Sequence, residues 1–217
     1  MARLKSSQPK VTVWLISINL LIWLAQVIPG SGVTNTLLYA PLLTTIEPWR
    51  MLTAGFVHSP DSPWHILINI YSIYIFGRVI EPMLGPARFL ALYLISIIGG
   101  SAMVLWLGSP VTPVVGASGA FFGLMGAYFI MLRTIGDNSG QLLALIAVNL
   151  AFGFFFPSIS WQGHLGGLLA GMAVTSVYAR TRYKSALTQK IQVLGVLIVI
   201  IALIVAGVIF RLGPMFS

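Results

Sequence analysis

The sequence predicts an all-α polytopic membrane protein, and three observations support this fold class. The 217-residue chain is 58% hydrophobic and only 7% charged, with a mean hydropathy of +0.95, which is more apolar surface than one water-soluble core can bury. The apolar residues form separate runs that approach the roughly 20 residues a helix needs to cross a bilayer core of about 30 Å. Basic residues lie mostly in alternate connections between these runs, as expected for oriented membrane helices.

Seven apolar runs are predicted to form helices of one bundle domain. The first follows the basic start MARLKSSQPK, as in a signal peptide, but its apolar run is too long and no small-residue cleavage site follows. We therefore expect a permanent first helix. The chain has no cysteine, which excludes disulfides, thiolate nucleophiles and thiolate metal sites. The predicted helices span residues 11–29, 64–77, 89–107, 118–132, 141–156, 164–179 and 191–210.

The net charge of +8 is interpreted as a topology signal rather than as a nucleic-acid-binding surface. Ten basic residues fall in one set of alternate segments, and only Arg50 and Arg211 fall in the other. This positive-inside pattern predicts a multi-pass protein of the cell membrane with a cytoplasmic N-terminus and the C-terminus outside. Anionic lipid headgroups would add to the orientation. The ten residues are Arg3, Lys5, Lys10, Arg78, Arg88, Arg133, Arg180, Arg182, Lys184 and Lys190.

Three of the predicted helices begin near a polar residue at similar depth in the membrane. Ser118 lies 15 residues before Arg133, a helical distance of about 22 Å against a bilayer core of about 30 Å. Counting from the basic residue at each inner end places His164 and His65 roughly 6 to 10 Å below the outer edge as well. The segment before Ser118 contains two prolines and cannot continue a helix. Irregular backbone at that depth must be buried or line a cavity, and we expect a cavity open to the outer face.

Ser118 and His164 are predicted to act as a catalytic pair. Ser118 opens a helix, where unpaired N–H groups and the helix dipole favour a developing negative charge. A serine hydroxyl needs a base to remove its proton, and histidine is the usual base. Small residues four apart on both helices would let the backbones touch. They are Gly119, Gly123 and Ala127 on one helix and Gly163, Gly167 and Gly171 on the other.

His65 and Asn69 are predicted to stabilise an oxyanion together with the Ser118 N–H group. They lie four residues apart in HILIN, so they share one helix face, and both can donate hydrogen bonds. The four acidic residues fall on the cytoplasmic side or in the long outer loop, which favours a Ser-His dyad over a triad with a buried acid. Phe122, one turn after Ser118, could hold the imidazole by stacking.

Structural roles are the alternative for each of these residues. A serine at a helix start is commonly a cap, and a lone interior histidine is commonly a satisfied packing residue. His58, in the loop GFVHSPDSP, is as consistent with a structural role as with a functional one. A metal site is disfavoured because His58, His65 and His164 lack an acidic partner and helical pair spacing. The sequence therefore predicts no metal and no cofactor.

At these residues the sequence resembles the rhomboid family of intramembrane serine proteases. The resemblance covers about Trp49 to Gly171, with a Trp-Arg pair in the first outer loop followed by HILIN, GASG and GHLGG. It implies a six-helix core with Ser118 as nucleophile, His164 as general base and the HILIN residues as oxyanion donors. Many members carry Tyr at the position of Phe122, and Phe keeps the stacking surface. The supporting residues are Trp49, Arg50, Gly116, Gly119, Phe122, Gly167 and Gly171.

The predicted activity is that of a serine endopeptidase that cleaves transmembrane proteins near the outer face through an acyl-enzyme. A substrate helix must fray to reach Ser118, so we expect helix-breaking or small residues there in the substrates. The alternatives are a catalytically silent rhomboid-like protein that binds membrane proteins and, with less support, a small transporter. The expected organisation is a cytoplasmic segment (1–10), the protease core (11–186, outer loop 30–63) and a seventh helix with an outer tail (187–217), which we expect to be a simple anchor.

Overall fold

The computed structural model describes residues 9–156 and 158–216, and most of them are α-helical. Arg3 and Lys5 of the predicted cytoplasmic segment lie outside the described residues. A long helix lies at each of the seven predicted positions. These helices are α1 (Lys10–Gln26), α2 (Pro63–Leu84), α3 (Pro86–Leu107), α4 (Ser118–Ile135), α5 (Gly140–Phe155), α6 (Trp161–Arg180) and α7 (Ala186–Gly207).

The helices present an apolar exterior that suits a bilayer. Within the described residues, length and composition allow four helical stretches to cross a membrane, and α1 and α5 are shorter apolar helices. Large apolar side chains on α1, α2 and α7 are exposed rather than packed inside the bundle, and helices that are apolar all round belong in a membrane or a large core. The predicted all-α polytopic membrane fold is confirmed. The four stretches are Pro63–Leu84, Pro86–Leu107, Ser118–Ile135 and Ala186–Met215.

The predicted bounds of α2 are wrong. We expected a helix over 64–77 that ends at Arg78, but α2 runs from Pro63 to Leu84. Arg78 does not end the helix because its guanidinium lies over the ring of Tyr74, 5.6 Å from the ring centroid, and its long apolar stem can reach an interface from within a helix. The depth of His65 therefore cannot be counted from Arg78. The helix stops at Gly85, whose φ of +82° leaves the α-helical region.

Helices α3, α4 and α6 form the centre of the bundle through contacts between glycines. A Cβ atom added to Gly167 of α6 would lie 2.7 Å from the carbonyl carbon of Gly119 in α4. A Cβ added to Gly99 of α3 would lie 2.5 Å from the Cβ of Ala170 in α6. Real Cβ contacts this short do not occur, so the helices approach to a distance that only glycine permits. The small-residue contact predicted between α4 and α6 is present.

A buried carboxylate joins the start of α1 to the last turn of α2. Glu81 of α2 accepts hydrogen bonds from the Val11 N–H (2.9 Å), the Thr12 N–H (2.7 Å) and the Thr12 hydroxyl (2.7 Å). The first N–H groups of a helix have no partner within the helix, and their positive dipole end favours a carboxylate. Gly77 leaves the space that the Thr12 side chain occupies. Glu81 thus has a structural role at the opposite end of α2 from His65.

The outer loop between α1 and α2 holds the irregular segment that precedes α4. Tyr39 and Val114 exchange both backbone hydrogen bonds (3.2 and 2.7 Å) in an antiparallel bridge. Buried Arg50 donates to the carbonyl oxygens of Asn35 and Leu38 and pairs with Glu47. Charge-assisted bonds to backbone fix this loop, which contains only short helical segments. The segment before Ser118 is therefore held by backbone hydrogen bonds to a loop that Arg50 stabilises.

Helix α7 is attached to the outer end of α3. The indole N–H of Trp106 donates to the Leu203 carbonyl oxygen at 2.9 Å. After α7 the chain continues as a π-helical turn (Val208–Leu212), from which Arg211 donates to the carbonyl oxygens of Trp106 and Gly108. The last carbonyl groups of a helix lack partners within the helix. The guanidinium of Arg211 thus caps α3, which the sequence did not indicate.

Candidate active site

Ser118 is the first residue of α4 and lines a small cavity. The preceding Gly116 has a φ of +128°, a conformation that glycine alone adopts readily, and its N–H donates to the Ala54 carbonyl oxygen at 3.0 Å. The cavity has a volume of about 50 Å³ and its lining includes Ser118, Gly119, Ser160 and Gly163. This volume holds several water molecules. Ser118 is half-buried beside it.

His164 lies in the first turns of α6, against the first turns of α4. The Ser160 hydroxyl caps α6 by accepting the Gly163 N–H at 3.2 Å. The ring of Phe122 stacks on the His164 ring, with centroids 4.1 Å apart and planes 15° apart. The stacking expected from the sequence is thus present, and it fixes the plane of the imidazole. His164 is 8% exposed.

The structure brings Ser118 and His164 to one region but does not join them by a hydrogen bond in the described residues. The Cβ position of Gly119 lies 3.5 Å from the Gly163 carbonyl oxygen, so the residue after Ser118 contacts the residue before His164. Contacts between nucleophile and base are often loose in apo enzymes and tighten around the substrate. The close backbone approach brings the starts of α4 and α6 together.

His65 faces the same region from α2. A Cβ placed on Gly116 would lie 2.9 Å from the His65 Nε2 and 3.6 Å from the Ser118 Oγ, so both atoms border one small space. On its other side, the His65 Nδ1 accepts a hydrogen bond from the Ser59 N–H at 3.2 Å. Asn69 donates its side-chain amide to the His65 carbonyl oxygen at 2.8 Å, and its buried Oδ1 has no partner in the described residues.

No carboxylate of the described residues pairs with His164. Its Nδ1 is buried without a partner. Glu47 pairs with Arg50, Glu81 binds the start of α1, and Asp137 accepts the N–H of the next residue. The remaining acid, Asp61, is exposed in the outer loop. None of the four acids is therefore in contact with His164.

His58 is fully buried, and its ring lies edge-on to the ring of His65 with centroids 5.2 Å apart. Burial, and to a lesser extent the neighbouring His65, lowers the pKa of His58 to about 3, so this loop residue is neutral near pH 7. In the described part of the chain, no three His, Asp or Glu side chains form a group that could hold a metal ion.

Trp49 and Arg50 lie outside the cavity. Trp49 is 54% exposed, whereas Arg50 is 9% exposed and binds loop backbone. Residues Ala54 and Gly55, which follow them in the same segment, line the cavity. Trp49 and Arg50 therefore do not line the cavity themselves and are connected to it only through the backbone of the loop. The predicted supporting glycines lie nearer, since Gly116 and Gly119 line the cavity and Gly167 contacts Gly119.

A match to a protein-family model identifies the family of this chain. The model for the rhomboid domain matches residues 45–181, more than half of the chain and all the residues of the candidate site. The chain belongs to the rhomboid family. The matched range holds α2 to α6 with the second half of the outer loop, whereas α1 and α7 lie outside it.

Curated rhomboid proteins are similar to this chain over different shares of their length. Rhomboid protease GluP of Bacillus subtilis is 34% identical over 181 residues, which are 77% of this chain and 34% of GluP. Putative rhomboid protease YdcA of the same organism is 32% identical over 179 residues, 76% of this chain and 86% of YdcA. RHOMBOID-like protein 6, mitochondrial, of Arabidopsis thaliana is 38% identical over 136 residues, 59% of this chain and 43% of that protein. The chain thus spans about a third of GluP.

Three contributors to this rhomboid site were not predicted from the sequence. The Ser59 N–H holds His65, Ser160 caps α6, and Gln26 of α1 binds the backbone of His58. A Ser three residues before the Gly of GHLGG is a capping signal that was available. The other two contacts involve backbone groups of an irregular loop, and no residue pattern reports such groups.

Proposed function

We propose that this rhomboid-family protein is an intramembrane serine protease with Ser118 as nucleophile and His164 as general base. The supporting observation is that polar groups meet in an otherwise apolar bundle: Ser118 and the start of α6 line one small cavity, and the His65 Nε2 lies close to Gly116, which lines it too. Ionisable groups inside a membrane protein are costly and mostly functional. The names of the curated relatives GluP and YdcA point to the same activity.

In the proposed reaction, the Ser118 Oγ attacks the carbonyl carbon of a substrate peptide bond while the His164 ring takes the hydroxyl proton. The tetrahedral intermediate collapses, and the same proton passes to the leaving amine, which leaves an ester on Ser118. Water then attacks the ester and His164 accepts one of its protons. This proton passes to the Ser118 Oγ as the ester bond breaks, and the new carboxylic acid leaves and loses its own proton to water. Water would reach the ester through the cavity.

The oxyanion of both tetrahedral intermediates would lie between the start of α4 and α2. Ser118 is the first residue of α4, so its N–H and the positive dipole end of the helix would supply donors to that oxyanion. The His65 Nε2 lies nearby, 2.9 Å from the Cβ position of Gly116. Asn69 has a second amide hydrogen that its bond to His65 does not use. Removal of one such donor typically lowers kcat by about 10²–10³-fold.

We propose a dyad rather than a triad because all four acids bind elsewhere or face solvent. In a triad the acid holds the imidazole and stabilises its protonated form. Here the stacked ring of Phe122 supports the positioning role. A face-on aromatic ring also attracts a cation, so it would favour the imidazolium that forms after proton transfer.

We further propose that substrates are transmembrane proteins cut near the outer membrane face, with helix-breaking or small residues at the cut. A substrate helix must expose its carbonyl groups to reach Ser118, and such residues lower the cost of unwinding. The proposed orientation places the N-terminus in the cytoplasm and the C-terminus outside the cell membrane, because ten of twelve basic residues fall in one set of alternate segments of the chain.

The decisive experiment compares wild type with Ser118→Ala and His164→Ala in lipid vesicles. The readouts are cleavage of a single-pass reporter that carries small residues near its outer end and labelling by a fluorophosphonate. Wild type is expected to cut and to label, both variants are expected not to cut, and Ser118→Ala is expected not to label. Thr134→Ala removes an exposed hydroxyl from the same helix and serves as the matched control.

Cleavage by Ser118→Ala at the wild-type rate would show that the serine is only part of a helix start, and the proposal would then be wrong. Binding of the reporter without cleavage or labelling by any variant favours a catalytically silent membrane-protein binder. A panel of reporters with leucine in place of the small residues tests the substrate proposal. Equal cleavage across that panel contradicts it.

A further inference from the structure

Gln26, at the last turn of α1, binds both backbone polar groups of a residue in the outer loop. Its Nε2 donates to the His58 carbonyl oxygen at 2.6 Å, and its Oε1 accepts the His58 N–H at 3.0 Å. Gln26 is only 6% exposed, so these bonds are shielded from water. Trp23, one turn earlier, donates its indole N–H to the Ser59 carbonyl oxygen at 3.3 Å. Helix α1 thus fixes two successive loop residues.

The loop residues held by α1 in turn fix one side of His65. The Ser59 N–H donates to the His65 Nδ1 at 3.2 Å, so this nitrogen is an acceptor and carries no proton. A neutral imidazole has one N–H group, which must then be on Nε2. The ring of His58 also packs edge-on against the His65 ring at 5.2 Å. Both the tautomer and the orientation of His65 therefore depend on where residues 58 and 59 lie.

The protonated nitrogen of His65 faces the place where negative charge would develop. Its Nε2 lies 2.9 Å from the Cβ position of Gly116, and the Ser118 Oγ lies 3.6 Å from the same position. An Nε2–H group can donate to an oxyanion formed there, whereas the opposite tautomer would present a lone pair and repel it. The tautomer of His65 thus decides whether the site has this donor.

We propose that Gln26 is a positioning residue for catalysis: by clamping the His58–Ser59 backbone, it holds His65 in the Nε2–H form that donates to the oxyanion. This inference rests on the proposed protease function. Gln26 itself does not border the cavity, and its effect passes through two backbone hydrogen bonds. An oxyanion donor acts in the transition state rather than in substrate binding. Loss of the clamp therefore lowers kcat and leaves KM unchanged.

The test compares Gln26→Met with wild type in lipid vesicles. Met has a similar length and no hydrogen-bonding amide, so the helix keeps its packing but loses the clamp. We expect kcat to fall about 10-fold or more, within the roughly 10²–10³-fold limit for the loss of one donor, with KM within twofold of wild type. Trp23→Phe removes only the bond to Ser59, and we expect a smaller fall in kcat from this variant.

The matched control is Asn19→Leu, which removes another buried amide from α1. Asn19 donates to the Leu15 carbonyl oxygen and to the Tyr93 hydroxyl, and neither contact reaches the outer loop. We expect kcat of this variant to stay within twofold of wild type for the folded fraction. Equal losses of kcat in Asn19→Leu and Gln26→Met would mean general destabilisation and would overturn the proposal.

A second readout does not depend on activity. In ¹⁵N-histidine NMR spectra, with His65 assigned from a His65→Ala sample, wild type is expected to show protonated Nε2 and unprotonated Nδ1. Gln26→Met is expected to show both His65 tautomers in exchange. If this variant instead shows only the Nε2–H tautomer, Gln26 does not fix the His65 tautomer and the proposal is wrong. A third outcome separates the two proposals. If wild type does not cleave but its His65 tautomer still changes in Gln26→Met, the protease function is wrong and the effect of Gln26 on His65 stands.

Discussion

Replacement of Gly167 by alanine tests whether the close approach of α4 and α6 builds the active site. The added Cβ would lie 2.7 Å from the Gly119 carbonyl carbon and 3.0 Å from its Cα, whereas ordinary contacts lie at 3.4–4 Å. Both partners are backbone atoms, which cannot rotate away. The Gly119 carbonyl oxygen lies nearer still, so the two helices must separate by about 1 Å or more to restore ordinary contacts.

This separation has two separate costs. Overpacking of a tight core costs about 1–3 kcal/mol, and for a chain of this length each kcal/mol lowers the unfolding midpoint by roughly 2–4 °C. The shift also moves His164, one turn before Gly167, relative to Ser118. A displacement of about 1 Å between reacting groups can lower the rate about 10²-fold. The loss of activity should therefore exceed what the lost stability explains.

The assay measures the rate of fluorophosphonate labelling at Ser118 at a temperature where each variant is folded, together with the thermal unfolding midpoint. The control is Gly195→Ala in α7, where no atom lies within 4 Å of the added Cβ. We expect this control to label at the wild-type rate. Labelling of Gly167→Ala within threefold of wild type, with an unchanged midpoint, would refute the role of glycine contact in building the site.

Other substitutions test separate parts of the site. Gly116→Ala places a Cβ 2.9 Å from the His65 Nε2 at a φ of +128°, and labelling should fall at least 10-fold with a strain cost of about 1–3 kcal/mol. Phe122→Leu removes a stack worth about 0.5–1.5 kcal/mol and should slow cleavage about 2- to 10-fold, whereas Phe122→Tyr should cleave at nearly the wild-type rate. Arg211→Gln should lower the free energy of unfolding by about 1–3 kcal/mol in denaturant titrations, with unchanged KM. Folding lowers the pKa of His58 from 6.5 to about 3. The stability present above about pH 6.5 should therefore be lost as the pH falls toward 3, by up to about 1.4 kcal/mol per pH unit. Measurements of the free energy of unfolding against pH should show this loss for wild type and not for His58→Gln.

The parts of this structure that depend on residue patterns could be predicted from the sequence. The seven helix positions follow from apolar runs, and the contact between Gly119 and Gly167 follows from small residues four apart. The stack of Phe122 on His164 follows from its place one turn after Ser118. In each case the side-chain type and its spacing carry the information.

The parts that depend on irregular backbone could not be predicted. The Ser59 N–H that binds His65 belongs to a loop whose path no periodicity describes. No residue pattern marks Gln26, because the loop groups that it binds are backbone atoms 32 residues away. The predicted end of α2 at Arg78 is wrong because a basic residue does not have to end a membrane helix, and the Arg78 guanidinium lies over the Tyr74 ring within α2.

The glycine contact between α4 and α6 also sets the order in which the site can form during synthesis. Ser118 is made first, but the base and the glycines that bring it close lie between Gly163 and Gly171, on a helix that begins at Trp161. A growing chain that has released only α1 to α5 into the membrane carries the serine without its base. Under the proposed mechanism, such a nascent chain cannot cut its neighbours, and proteolysis begins only when α6 docks.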